Sequence, residues 1–308
     1  MTRHAPVDPT GEQILLRREG ARGEVTARIT QVGASLRGLT VAGTDLVATF
    51  PDGTPAPSAS GVVLVPWPNR VRDGRWRHEG RDLQLAITEP KYGNAIHGLL
   101  RFAPYAVTSD GSSATLTAVV YPQTGYPFTL ETAVSYALTD DGVHVRHVVR
   151  NAGAEAAPVA IGAHPFFTVG DADPAGIVLT GSGATWLETD ERMLPVADHP
   201  VSGDVDLRSG RRLDAGLMDR CYTDLARDAD GRARTTLTAP DGRRTTLWQG
   251  EGMDFTHVFI TDTYPGRPLA VAIEPMTAPA DAFNSGRGLR TLAPGEEWSV
   301  EWGVTLSA

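Results

Sequence analysis

Apolar residues recur at every second position over much of the chain. Phe128, Leu130, Val134, Tyr136 and Leu138 alternate with Thr129, Glu131 and Ser135. Near the C-terminal end Trp298, Val300, Trp302, Val304 and Leu306 alternate with Ser299, Glu301, Gly303, Thr305 and Ser307. A period of two gives an extended strand one apolar and one polar face, so both stretches predict half-buried antiparallel strands. Further strands are expected at 25–30, 62–65, 114–121, 143–150, 159–162, 177–180, 235–238, 244–248, 257–261 and 269–273. Turn signals such as Asp52-Gly53, Asp110-Gly111, Asp141-Gly142, Asp241-Gly242 and Pro294-Gly295 punctuate them. Helical periodicity is weak throughout, and 187–194 and 281–289 are the two stretches that can hold a helical turn or two. The segment 197–216 is polar and loop-like, but strands of the same style continue on both sides of it. The pattern predicts an all-β fold, a large antiparallel β-sandwich, with residues 1–308 as a single domain.

Composition sharpens this picture. The 308 residues are 41% hydrophobic, enough for a sizeable core, and include 33 Gly and 22 Pro, which disfavour long helices. A net charge of −9 lacks the basic footprint of a nucleic-acid partner. The basic run Arg70-Val71-Arg72-Asp73-Gly74-Arg75-Trp76-Arg77 is broken by turn residues and reads mostly as a solvated hairpin. Cys221 is the one cysteine, which excludes an internal disulfide and a thiolate-rich metal site and suits a reducing compartment. The first twenty residues contain no continuous apolar stretch, and nowhere do 18 uncharged apolar residues run together. The expectation is a cytoplasmic protein without a membrane partner.

Chemistry is concentrated in five short segments: VPWPNRVRDGRW (65–76), GNAIHGLLR (93–101), IGAHPFF (161–167), LMDRCYTDL (217–225) and AIEPMTAPADAFN (272–284). Glu274 closes an apolar run and precedes Pro275, so it is either a satisfied structural ion pair or a base with a tuned pKa. His164 follows an apolar approach and precedes Pro165 and two phenylalanines; it is either a general acid or a core histidine. His97, between Ile96 and Gly98, carries the same two alternatives. His144 and His147 lie three apart in a strand, on opposite faces, and are not a ligand pair. His4, His78 and His199 fall in polar or turn-like sequence and read as solvated. No H-E-x-x-H, calcium loop, G-x-S-x-G elbow or phosphate loop is present, and the pattern lacks the βαβ units of a dinucleotide site. The chemistry left is an acid/base site of His and Glu without metal or cofactor, with Arg and Asp to hold a polar ligand.

Taken together and in this order, NRVRDGRW, GNAIHGLLR, GAHPFF, the Asp219 of LMDRCYTDL and IEPMTAPADAFN resemble the aldose 1-epimerase (galactose mutarotase) family over residues 25–306. The resemblance implies a galactose mutarotase-like supersandwich with a concave sugar-binding face. It implies Glu274 as general base, His164 as general acid and His97 as a further catalytic histidine. Arg70, preceded by Asn69, and Asp219 would hold sugar hydroxyls. Two departures stand out: Thr168-Val169 replaces the common Asn-Leu, and His257 stands where a substrate-contacting Gln is usual. Trp76 and Phe283 are candidates for stacking on the sugar.

VPWPNRVRDG with EPKYGNAIHGL is most similar to a bacterial subgroup that includes mutarotases for a 6-sulfonated glucose, sulfoquinovose. An anionic C6 group would need an extra cation, which Arg72, Arg101 or Lys91 could supply. The expected activity is therefore a cofactor-independent mutarotase acting on an aldohexose, glucose- or galactose-like or 6-substituted. The alternatives are a non-catalytic carbohydrate-binding protein and a hexose-6-phosphate 1-epimerase. The expected partner is a small sugar, and the chain is expected to be a monomer or homodimer.

Overall fold

A computed structural model describes residues 7–307. Among the described residues two large antiparallel sheets dominate. One runs in the spatial order Ala106–Ser109, Ser113–Val120, Leu130–Leu138, Gly142–Asn151, Glu297–Ser307, Arg244–Gln249, Ala233–Thr238, Val178–Gly181, Arg211–Arg212. The second runs Pro195–Pro200, Gly183–Thr189, Met218–Leu225, Phe255–Thr261, Ala270–Met276, Gly162–Ala163, Val63–Leu64, with Phe166–Phe167 also pairing to Ala270–Met276. A smaller sheet, Gln13–Gly20, Gly23–Thr30, Leu36–Val41 and Thr44–Asp45, and three two-stranded pairings account for the other strands.

The alternation of the sequence decides which side chains enter the core. Leu130, Val134 and Tyr136 from the first sheet and Val258, Ile260 and Ile273 from the second are each at most 1% exposed and share one continuous cluster. Each such aliphatic side chain contributes about 1.5–3 kcal/mol by leaving water. On the long C-terminal strand Val300, Trp302, Val304 and Leu306 are buried while Ser299 is exposed, as the period of two requires.

Three local expectations are corrected. The stretch 187–194 is no helix: its first residues end the strand Gly183–Thr189, which is paired on both sides, and tertiary pairing overrides a weak helical period. Part of the polar segment 197–216 is an edge strand, Pro195–Pro200, whose half-exposed position explains its polar composition. His78 is half-buried with its ring edge-on to Phe128 at 5.1 Å and is not simply solvated. In 281–289 there is one helical turn, Ala282–Ser285. His199 pairs with Glu188 at 2.8 Å on the half-exposed edge, and His4 lies outside the described residues. Among the described residues no helix is long and apolar enough to cross a membrane.

Candidate active site

The second sheet presents alternate residues to opposite sides. Val258 and Ile273, paired in register, point into the core; the next pair along, His257 and Glu274, therefore points the other way. Asp219 on Met218–Leu225 pairs with Phe259, and both join that same face. These four residues form one wall of a concave pocket of about 290 Å³, also lined by Asn69, Arg70, Glu89, His97, Arg101 and His164.

The remaining residues arrive from outside the sheet: Arg70 opens the short strand Arg70–Val71, which pairs with Ala95–Ile96 immediately before His97. His164 sits between Gly162–Ala163 and Phe166–Phe167, its N–H donating to Val62 O at 3.1 Å. His97 takes a left-handed backbone, φ 62, with its N–H donating to Asn69 O at 2.9 Å. Gly98 follows at φ +71, where a Cβ would lie 2.2 Å from Val65 O; only glycine lets the chain approach so closely. Non-glycine residues in such strained backbone cluster at functional sites. The imidazoles of His97 and His164 meet edge to face at 5.3 Å.

The polar contacts are specific. His164 Nε2 is 3.3 Å from Glu274 Oε1, and both side chains are almost fully buried. Glu274 Oε2 is buried without a hydrogen-bond partner, an uncommon state that a ligand donor would relieve. His257 Nε2 donates to Asp219 Oδ1 at 2.6 Å. Arg70 donates Nε and Nη2 to the two oxygens of Glu89, both at 2.8 Å, a bidentate pair. Asn69 Oδ1 accepts from Arg70 N at 2.9 Å and Nη1 at 3.3 Å, so Asn69 orients the arginine.

These surroundings set the charges. Burial, reinforced by the nearby His164, Arg101 and Arg70, drives His97 well below the ordinary imidazole range and keeps it neutral. Burial opposes the charge of Arg70, but Glu89, Asp219 and Glu274 outweigh it and raise its pKa. Asp219 is likewise desolvated, yet His257 and Arg70 hold its carboxyl below the usual range. Arg101 is half-buried, which lowers its pKa against the opposing effect of Glu89. Among the described residues no cluster of His, Cys, Asp and Glu is arranged to hold a metal ion.

Seven of the nine residues singled out from the sequence line this pocket: Asn69, Arg70, His97, His164, Asp219, His257 and Glu274. Trp76 and Phe283 do not, which corrects their assignment as stacking residues. Their rings lie 4.5 Å apart in a buried aromatic cluster with Trp67 and Tyr126, and Trp76 Nε1 donates to Gly125 O at 2.9 Å. Of the three candidate cations, Arg101 lines the pocket. Arg72 is engaged by Asp190 at 3.4 Å and Asp281 at 3.6 Å, and Lys91 is exposed with its ammonium over Tyr92; neither lines the pocket. Glu89 is the residue the sequence argument missed. It lay in a segment quoted for other reasons, and no spacing signals that a glutamate 19 positions on will grip Arg70.

A family model described as Aldose 1-epimerase matches residues 18–305. The chain is 32% identical over 289 residues to the uncharacterized protein YihR of Escherichia coli strain K12, covering 90% of this chain and 88% of that protein. A galactose mutarotase-like protein from Clostridium acetobutylicum superimposes with a TM-score of 0.82 at 18% identity, over 96% of this chain and 98% of the other. A galactose 1-epimerase from Lactobacillus acidophilus superimposes with a TM-score of 0.78 at 18% identity, over 96% and 94%.

Proposed function

The chain belongs to the aldose 1-epimerase family, and from that membership we propose that it is a cofactor-independent mutarotase interconverting the α and β anomers of an aldohexose by acid/base ring opening. The observation that carries this is the buried pair of His164 and Glu274 at 3.3 Å, on the wall of a pocket that also holds Arg70, Asp219 and Asn69, groups able to bind hydroxyls. Anomerisation needs one proton removed from O1 and one delivered to O5, two oxygens bonded to the same carbon. An acid and a base held side by side match that demand.

Glu274, as carboxylate, takes the O1 proton; the O1 electron pair forms the carbonyl as the C1–O5 bond breaks, and O5 receives the proton of the His164 imidazolium. After rotation about C1–C2 the open chain closes on the other face. O5 returns its proton to His164, and the carbonyl oxygen regains one from Glu274. The sum of protons is unchanged and no redox partner enters. Neutral His97 orients the ring oxygen, while Arg70, held by Glu89 and Asn69, and Asp219 grip the hydroxyls. Each positioned proton transfer is worth about 10²–10⁴-fold.

For the choice of sugar, Arg101 favours a substrate with an anionic substituent at C6. It lines the pocket, is half-buried and, among the described residues, has no carboxylate within ion-pair distance; its side chain reaches Thr88 O at 3.5 Å. A sulfonate or phosphate would supply the missing counter-charge. Exchange NMR over glucose, galactose, glucose-6-phosphate and sulfoquinovose tests both levels. Anomer exchange accelerated for an anionic sugar above the neutral ones supports the finer reading, and equal or greater acceleration of the neutral sugars refutes it. Glu274→Gln should remove at least 10²-fold of the accelerated exchange with the circular dichroism of the fold unchanged. Retained activity in a folded variant would remove Glu274 as the base.

A further inference from the structure

Two carboxylates, the buried Glu274 and the half-buried Asp219, face the same pocket. Like charges in such a place oppose each other's ionisation, and one is normally driven to hold its proton. The mechanism above needs both ionised, Glu274 to take a proton and Asp219 to accept sugar hydroxyls. The side chain placed to resolve this conflict is His257. Its strand, Phe255–Thr261, runs between the strand of Asp219 and the strand of Glu274. His257 stands directly opposite Glu274 in the antiparallel register, where side chains come within about 5 Å at Cβ, and its Nε2 is 2.6 Å from Asp219 Oδ1.

We propose that His257 is a positioning residue: a permanently protonated imidazolium that is hydrogen-bonded to Asp219 and stands opposite Glu274 in register, fixes the plane of the Asp219 carboxylate and allows both carboxylates to stay ionised in one pocket. This rests on the assignment of Glu274 as the base.

The groups facing His257 all bear on its charge. From the strand Met218–Leu225 come Asp219 and Cys221, the latter opposite His257 in register. From Ala270–Met276 comes Glu274, and His97, His164 and Arg70 stand across the pocket. Burial works against the charged ring, but Glu274 and Asp219 outweigh it and raise His257 well above an ordinary imidazole. The pairing also divides the labour of Asp219. Oδ1 is committed to the imidazolium, so Oδ2 is the oxygen left to accept from the sugar. His97, in the same pocket but without a carboxylate of its own, is driven the opposite way. The two histidines thus differ because of what each touches, not because of burial.

Two measurements test this, one of which needs no turnover. In the intact protein, ¹⁵N chemical shifts of the His257 ring should report an imidazolium from pH 6 to pH 8, and Asp219→Asn should bring its titration down by at least one pH unit. A neutral ring at pH 7 overturns the proposal whatever the enzyme does. For catalysis, His257→Gln keeps a donor for Asp219 but removes the charge. The expected result is a tenfold or larger fall in kcat/KM at pH 7, with its acid-side fall moved up by about one pH unit. A profile superimposable on that of the parent protein, with Glu274→Gln inactive, overturns the role of His257 while leaving the base in place. Activity persisting in Glu274→Gln instead refutes the underlying mechanism, and the ring shifts then still decide whether His257 is charged.

Discussion

His147 offers a sharp test of the packing away from the pocket. It lies on Gly142–Asn151 opposite Val300, is fully buried, and its Nε2 accepts from Trp302 Nε1 at 2.9 Å. A lone pair on Nε2 is therefore required, and the ring's single proton sits on Nδ1. Burial pushes the imidazole down from 6.5 to about 3, and protonation would in addition break the Trp302 bond. In the unfolded chain the ring titrates normally, so between these values the unfolded state binds one more proton than the folded state. Stability is thus full above pH 6.5 and falls as the pH drops through that window, by about 1.4 kcal/mol per unit. From pH 7 to pH 5 this single residue removes about 2 kcal/mol. In His147→Gln the amide oxygen can still accept from Trp302, but nothing titrates. Urea unfolding of both proteins at pH 7 and pH 5 should show the parent losing about 2 kcal/mol more than the variant over that interval. Equal losses in the two proteins would mean that His147 is not buried as a neutral ring.

Two further variants examine the pocket's support. Gly98→Ala combines a left-handed backbone with a Cβ driven into Val65 O; it should cost at least about 2 kcal/mol of stability by urea unfolding and displace His97, and a variant as stable as the parent would refute the close approach. Glu89→Gln releases the fork of Arg70 without touching His164 or Glu274. Its KM for the sugar should rise by about tenfold with kcat little changed, the signature of lost uniform binding, and a fall in kcat at constant KM would assign Glu89 a part in the chemistry.

The faces of the strands were legible along the chain. The alternation at 128–138 and 298–307 could be satisfied only by half-buried strands, and those residues divide between core and surface as their polarity requires. The first strand, Gln13–Gly20, escaped notice because it presents only Ile14 and Leu16 to the core, with Leu15 exposed and two arginines and a glutamate following, so its period is masked. The segments carrying Arg70, His97, His164, Asp219 and Glu274 could also be picked out, since polar groups set among Gly, Pro and apolar runs are costly unless they are satisfied.

The sequence by itself determined the β architecture and the residue types that could do acid/base chemistry, because strand faces follow from a local period of two. The tertiary structure decided which of them meet in one pocket. Whether an aromatic stacks in a pocket or in a core depends on the path of distant strands, and Trp76 and Phe283 went to the core. Likewise Glu89 found Arg70, and His257 came between Asp219 and Glu274, only through pairings between separate segments of the chain. Such pairings, and the charges they impose on buried rings, depend on sheet register and burial, which no local pattern specifies.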